Sequence, residues 1–209
     1  WSVLAPVAFA LAILVFARED GTLSGLMRVG PLAALGRRIM VLGLTNSGKS
    51  TLAVALSNKL GIPAVHLDQL QHQPNTNWEP RPEAEFAALH DAAILDPEWV
   101  MDGSYSRVMP QRLARATGII VITDSLATRY RRYFARTLFQ KERAGALDGG
   151  QDRLNWKMLA WLWKTRNSIG KYQQLALRSG LPHVFASDKR ELDALYAEWG
   201  LTRPSASRG

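Results

Sequence analysis

The chain has 209 residues, 47% hydrophobic and 21% charged, enough for one ordinary domain with a real core and unlike a disordered segment. It has no cysteine, which excludes disulfides, thiolate catalysis and cysteine-ligated zinc and suits the cytosol. A formal charge of +8 implies anionic partners such as nucleotides, nucleic acid or acidic lipid.

Residues 1–36 form an apolar N-terminal extension in which Arg18 and Arg28 balance Glu19 and Asp20, so the excess charge lies in residues 37–209. WSVLAPVAFALAILVFA (1–17) would reach roughly 26 Å as a helix, just short of a hydrocarbon core. Three readings compete for it. It is a truncated membrane anchor, or a helix that docks on a partner, or upstream sequence outside the natural protein, with translation starting at Met27. The third is favoured, so the expectation is a cytoplasmic protein, with a membrane partner only if residues 1–17 are native.

From residue 38 strands and helices alternate. RIMVLG (38–43) reads as a buried strand, and 48–60 as a helix closed by Gly61. IPAVHLD (62–68) is expected as a second strand ending in an acid, followed by a polar stretch over 69–80. A helix is expected at 82–95, a strand at 98–103 (EWVMDG), and a short helix at 109–116 with Pro110 in its first turn. GIIVITD (118–124) is the clearest strand; Ser125 is placed to cap the helix that carries RYRRYFARTLF. A glycine-rich charged loop (142–153), a long helix (154–180), a last strand (181–187) and a helix (188–199) capped by Ser187 or Asp188 complete the order. Residues 201–209 read as a disordered tail.

Strands alternating with helices at this spacing predict an α/β domain over 37–200: about five parallel strands with right-handed crossovers and helices on both faces, a three-layer sandwich.

The segment Gly43-Leu44-Thr45-Asn46-Ser47-Gly48-Lys49-Ser50-Thr51 satisfies G-x-x-x-x-G-K-[ST], the phosphate-binding (Walker A) pattern, and lies between a strand and a helix as its mechanism requires. Gly43 and Gly48 let the backbone turn so that successive N–H groups, those of Thr45, Asn46 and Ser47 among them, face one concavity. The helix begun at Gly48 adds unpaired N-terminal donors. Lys49 supplies a cation for the β- and γ-phosphates, Ser50 an oxygen for Mg²⁺, and Thr51 is assigned to the α-phosphate. The motif predicts ATP and Mg²⁺ as cofactors.

Negative charge for the metal is sought at strand ends. Asp102 closes the third strand after Trp99-Val100-Met101 and is the candidate metal partner beside Ser50. Asp68, after the second strand, would open onto the same carboxyl edge of the sheet, where open α/β folds bind ligands, as an acceptor-site base. Asp124 reads as a helix cap. His66 and His72 flank Asp68 without metal-ligand spacing.

These residues, with AVHLDQL, WVMDGSYSR and LNWKMLAWLW, make the stretch from Arg38 to Trp199 resemble the adenylate-kinase-related P-loop kinases. Within them it looks most like the bacterial DNA-topology-modulation-protein-like P-loop NTPases. The resemblance implies a P-loop NTPase fold with an arginine-rich helical lid, about 125–180. It implies that Arg107, five residues after Asp102 where relatives have four, helps hold phosphate, and that Asp68 touches the acceptor hydroxyl. Arg129, Arg132 and Arg136 fall on one helical face, with Arg143 just beyond. Arg132 and Arg136 are the candidates to neutralise charge on the transferring phosphoryl group. Trp156 and Trp163 share a face and are expected to pack against lid or core.

The reading is an ATP-dependent phosphotransferase acting on a small-molecule acceptor (nucleotide, nucleoside or metabolite), as monomer or homodimer. The alternative is a nucleic-acid-associated NTP-binding protein that uses the same loop as a switch.

Overall fold

The structure, a computed structural model, describes residues 32–139 and 156–204. The apolar run 1–17, the start at Met27, the loop 142–153 with Arg143, and residues 205–209 of the tail lie outside them. Among the described residues no helix is long and apolar enough to cross a membrane.

Five strands form one parallel sheet in the order β2-β3-β1-β4-β5: β1 (Arg38–Gly43), β2 (Ala64–His66), β3 (Trp99–Asp102), β4 (Gly118–Ile122) and β5 (His183–Ala186). Both faces are covered, so β1, β3 and β4 are near-continuous apolar runs rather than alternations. The period of two still decides which side chain goes where. Ile39, Val41, Val100, Ile120 and Ile122 meet helices α1 (Lys49–Leu60) and α8 (Lys189–Glu198) through Leu52, Leu56, Leu192 and Leu195. Met40, Leu42, Met101, Ile119 and Val121 turn to the opposite layer, packing on Leu67, Ile94, Met109, Tyr172 and Ala176.

That second layer holds α2 (Leu67–Gln71), α3 (Glu83–Ala93), α4 (Met109–Arg115) and α7 (Ile169–Arg178). Helices α5 (Leu126–Phe139) and α6 (Trp156–Lys164) pair with each other. The expected three-layer α/β sandwich is the observed fold.

Several boundaries reflect local chemistry. Gly61 ends α1 at φ 66°, its N–H donating to Ser57 O. Ser125 caps α5, its Oγ accepting from Thr128 N at 3.1 Å. Asp188 caps α8, accepting from Glu191 N, while the Glu191 side chain returns to Ser187 N.

Two expectations are corrected. The second strand is short and Asp68 does not end it; Asp68 sits in the first turn of α2, where a carboxylate suits the positive end of the helix. The helix expected over 154–180 breaks into α6 and α7 at Thr165-Arg166-Asn167-Ser168. There Thr165 Oγ1 donates back to Trp161 O at 2.7 Å and i→i+3 bonds replace the α-helical ladder, as Thr, Asn and Ser favour. Within the 125–180 stretch α7 lies on the sheet, with Tyr172 and Ala176 in the core.

Candidate functional site

β1 is central, and the chain passes from it to β2 on one side and later to β4 on the other. The crevice at the carboxyl end of β1 and β3 is therefore the switch point of the sheet. The Gly43–Thr51 segment occupies it. Gly43 leaves β1 at φ 148°, and a Cβ there would stand 1.9 Å from Ile122 O. Asn46 (φ 63°) and Gly48 (φ 102°) are also left-handed, which curls the chain into a loop before α1 starts.

Outside contacts hold this curl. Arg129 of α5, 1% exposed, donates from Nε to Thr45 O at 2.8 Å. Arg132, one turn on, donates from Nη1 to Asn46 O at 3.3 Å and Ser47 O at 2.9 Å, while its Nη2 pairs with Asp124 Oδ2 at 2.8 Å. Ser104 Oγ accepts from Gly43 N and donates to Gly43 O. Three loop carbonyls are thus tied to α5, and within the loop Ser47 N donates to Leu44 O at 3.2 Å. Lys49 Nζ reaches Leu44 O at 3.0 Å.

Beside the loop, Ser50 Oγ donates to Asp102 Oδ2 at 2.7 Å. His66, opposite Asp102 in the β2–β3 register, pairs through Nδ1 with Oδ1. Burial on its own would raise the Asp102 carboxyl. The bonds from His66 and Ser50 and the nearby Lys49 charge outweigh it and hold the group below the ordinary carboxylate range. Across the crevice Tyr105 donates to Asp68 Oδ1 at 2.6 Å, its ring tilted on Phe86 with centroids 5.2 Å apart. Burial, and then the Asp68 charge, push the Tyr105 phenol well above its usual value, so it stays a donor. Gly103 must be glycine, since a Cβ at φ 126° would meet Leu67 Cβ at 2.8 Å.

The structure thus gathers Gly43, Thr45, Asn46, Ser47, Gly48, Lys49, Ser50, Thr51 and Asp102 at one strand end. Arg132 touches the loop from its carbonyl side. Arg107 is apart: it is exposed and pairs with Glu83 at 2.6 Å. Arg136 lies on α5, and its side chain is outside the described residues. Trp156 and Trp163, expected to pack against lid or core, are 84% and 56% exposed, as is Trp161 at 50%, and Arg166 lies over the Trp163 ring at 4.3 Å.

Three contributors escaped the sequence reading: Ser104, Tyr105, and His66 as a partner of Asp102. Each is defined by a neighbour far along the chain. The nearest signal was the WVMDGSYSR run, in which Ser104 and Tyr105 directly follow Asp102-Gly103.

No protein-family model matches the chain, and no curated protein matches it. Among solved structures, a gluconokinase from Sinorhizobium meliloti 1021 is similar at 16% identity and TM-score 0.44, over 79% of this chain and 93% of that one. A provisionally named kinase from Chloroflexus aurantiacus is similar at 16% identity and TM-score 0.48, over 78% and 94%. A shikimate kinase from Bacteroides thetaiotaomicron is similar at 16% identity and TM-score 0.44, over 77% and 94%. None of the three is a DNA-topology-modulation protein. At such distances they carry nothing about substrate, and the chemistry is read from this chain's own residues.

Proposed function

We propose that the chain is an ATP-dependent phosphotransferase that moves the γ-phosphoryl group to a hydroxyl of a small-molecule acceptor. The observation that carries this is the Gly43–Thr51 loop, tied down through its carbonyls by Arg129 and Arg132. A loop so held presents amides to a polyphosphate without having to order them on binding.

The residues suit both cofactors. Gly43 and Gly48 allow the left-handed backbone that curls the loop, and Lys49 stands at the first turn of α1. Ser50 Oγ and Asp102 Oδ2 are adjacent hard oxygens, the donor type Mg²⁺ takes. When bound there, Mg²⁺ would neutralise phosphate charge as it develops. Asp102, kept ionised by its partners, is ready for that charge at neutral pH.

In the transfer, the acceptor oxygen bonds to Pγ as the Pγ–O bond to ADP breaks, and the hydroxyl proton passes to the Asp68 carboxylate. Asp68 is suited to that role by its place on α2, across the crevice from the loop, once the acceptor displaces the Tyr105 hydroxyl. Lys49 would steady the β- and γ-phosphates, and Thr51 the α-phosphate. Arg107 would have to leave Glu83 to meet an acceptor phosphate. Arg136, and Arg132 if it exchanges the loop carbonyls for the phosphoryl group, are the arginines for closure. The kinase-named neighbours agree with this reading without supporting it independently. A cytoplasmic location and a monomer or homodimer belong to the same proposal.

Lys49→Ala should abolish phosphoryl transfer from ATP, lowering the rate at least ~100-fold, while leaving the circular-dichroism melt unchanged. A variant with undiminished transfer would remove Lys49 from the mechanism. Wild-type protein that neither binds ATP nor phosphorylates any of a panel of nucleosides, nucleotides and small metabolites would remove the enzyme.

The charge of +8 favours a second reading, an NTP-binding protein that grips nucleic acid. It predicts affinity for DNA that falls steeply with salt. The phosphotransferase is preferred because Arg129, Arg132 and Lys49 already turn positive charge to the loop.

A further inference from the structure

Helix α6 packs against α5, where the Tyr130 hydroxyl donates to Leu159 O at 3.0 Å. Its inward stripe is half-buried Met158 and Leu159 with buried Leu162. An amphipathic helix so seated should turn a polar arc to solvent. The arc instead carries Trp156, Ala160 and Trp163, which recur at i, i+4 and i+7 and are all exposed. Trp161 is exposed at its far side, with exposed Lys164 between. Arg166, just past the helix, lies over the Trp163 ring at 4.3 Å and donates from Nη1 to Trp163 O at 2.9 Å. Single exposed apolar side chains need no explanation, but three indoles on one arc of a short helix mark a surface that something covers.

The charge around the arc points to what covers it. From residue 156 to 187 the sequence holds Lys157, Lys164, Arg166, Lys171 and Arg178 and no Asp or Glu. A second copy of the chain would set like charges against each other, which disfavours self-association through this face. A phosphate-bearing surface suits both residue types. Indoles settle where apolar and polar regions meet, at the headgroup level of a bilayer, while Lys and Arg reach the phosphates beside them. The Arg166–Trp163 pair lets a guanidinium and an indole occupy that depth together. Nucleic acid shares the phosphate charge, but bases stack on open ring faces, and Arg166 already occupies a face of Trp163.

We infer that the solvent-facing arc of α6 is a docking surface for a membrane that contains anionic phospholipid. Trp156, Trp161 and Trp163 enter the headgroup region, and Lys164 and Arg166 pair with lipid phosphates. At nine residues the helix is too short to span a bilayer and lies along its surface. This surface stands whatever the Gly43–Thr51 loop binds. The apolar run 1–17, where native, adds a second membrane signal of the kind stable attachment takes.

The test mixes the full chain with vesicles of phosphatidylcholine alone or of phosphatidylcholine with phosphatidylglycerol, and reads co-sedimentation and tryptophan emission. Wild type should bind the anionic vesicles at least about tenfold more tightly than the neutral ones, less so as salt rises, with a blue shift of emission. Lys164→Gln/Arg166→Gln should lose at least about tenfold in affinity for anionic vesicles. Trp156→Ser/Trp163→Ser should lose most of the shift specific to them. All four positions are exposed, so both variants should keep the wild-type melt. Residues 1–17 are common to every sample, so the differences report on α6. A wild type without preference for anionic vesicles, or either variant behaving as wild type, overturns the proposal. Variants that lose a dimer in light scattering, or affinity for a single-stranded oligonucleotide, while binding vesicles unchanged would overturn it too and give the face to a second copy or to nucleic acid. Should the tryptophan variant not fold, the Lys164/Arg166 variant decides alone, since it leaves the apolar surface unchanged.

Discussion

Gly43 pairs with Ile122 across β1 and β4, and the space a side chain would need is already filled by the Ile122 carbonyl. Gly43→Ala should therefore cost about 2 kcal/mol or more, a left-handed penalty plus a backbone clash, and move the mouth of the loop. Urea denaturation checks the stability and AMP-PNP titration the loop. His90 offers a pH readout away from the loop. Burial lowers its pKa below the ordinary 6.5, so the unfolded chain takes up the proton first as pH falls. The stability His90 contributes is complete above about pH 6.5 and is lost on further acidification. Melting temperature should fall between about pH 6.5 and 5 in wild type and fall less in His90→Leu. An identical slope in both would show that other groups govern that range.

Helix α5 braces the nucleotide loop instead of only overhanging it. Its first two turns bring Arg129 and Arg132 onto the carbonyls of Thr45, Asn46 and Ser47, and Asp124, just before its capping Ser125, anchors Arg132 in return. Charge-assisted bonds of this kind contribute about 1.5–3 kcal/mol each, so Arg132→Ala should weaken AMP-PNP binding by roughly tenfold or more. Calorimetric titration measures it, and unchanged affinity would make the clamp incidental. The spacing of the α5 arginines was legible along the chain because helical periodicity is local. Which way they faced was not, because the loop they hold is more than eighty residues away. The same limit explains α6 and α7. Their apolar repeat reads as one helix, and the break comes from the Thr165 hydroxyl bonding Trp161 O and from i→i+3 backbone bonds that the repeat does not register.

The whole chain carries +8, and much of the question of function turns on where that charge is used. If Lys49, Arg129 and Arg132 serve a nucleotide loop, the excess needs no nucleic-acid groove. Phosphoryl transfer to a small acceptor at about 0.15 M salt should then be unaffected by added duplex DNA, while any DNA affinity seen at low salt fades steeply. Inhibition or activation by DNA at that ionic strength would return weight to the second reading. The alternation of strands and helices, the wrapping of both sheet faces and the phosphate-binding loop arise from patterns that repeat over a few residues. The G-x-x-x-x-G-K-[ST] run, the period-two strands and the helix caps are such patterns, and they were readable in order along the chain. Its partners were not. Ser104 on Gly43, His66 on Asp102 and Tyr105 on Asp68 meet because parallel pairing brings β2 and β3 beside β1. Hydrogen bonds and burial depend on distance in space, and a linear sequence records distance only along the backbone.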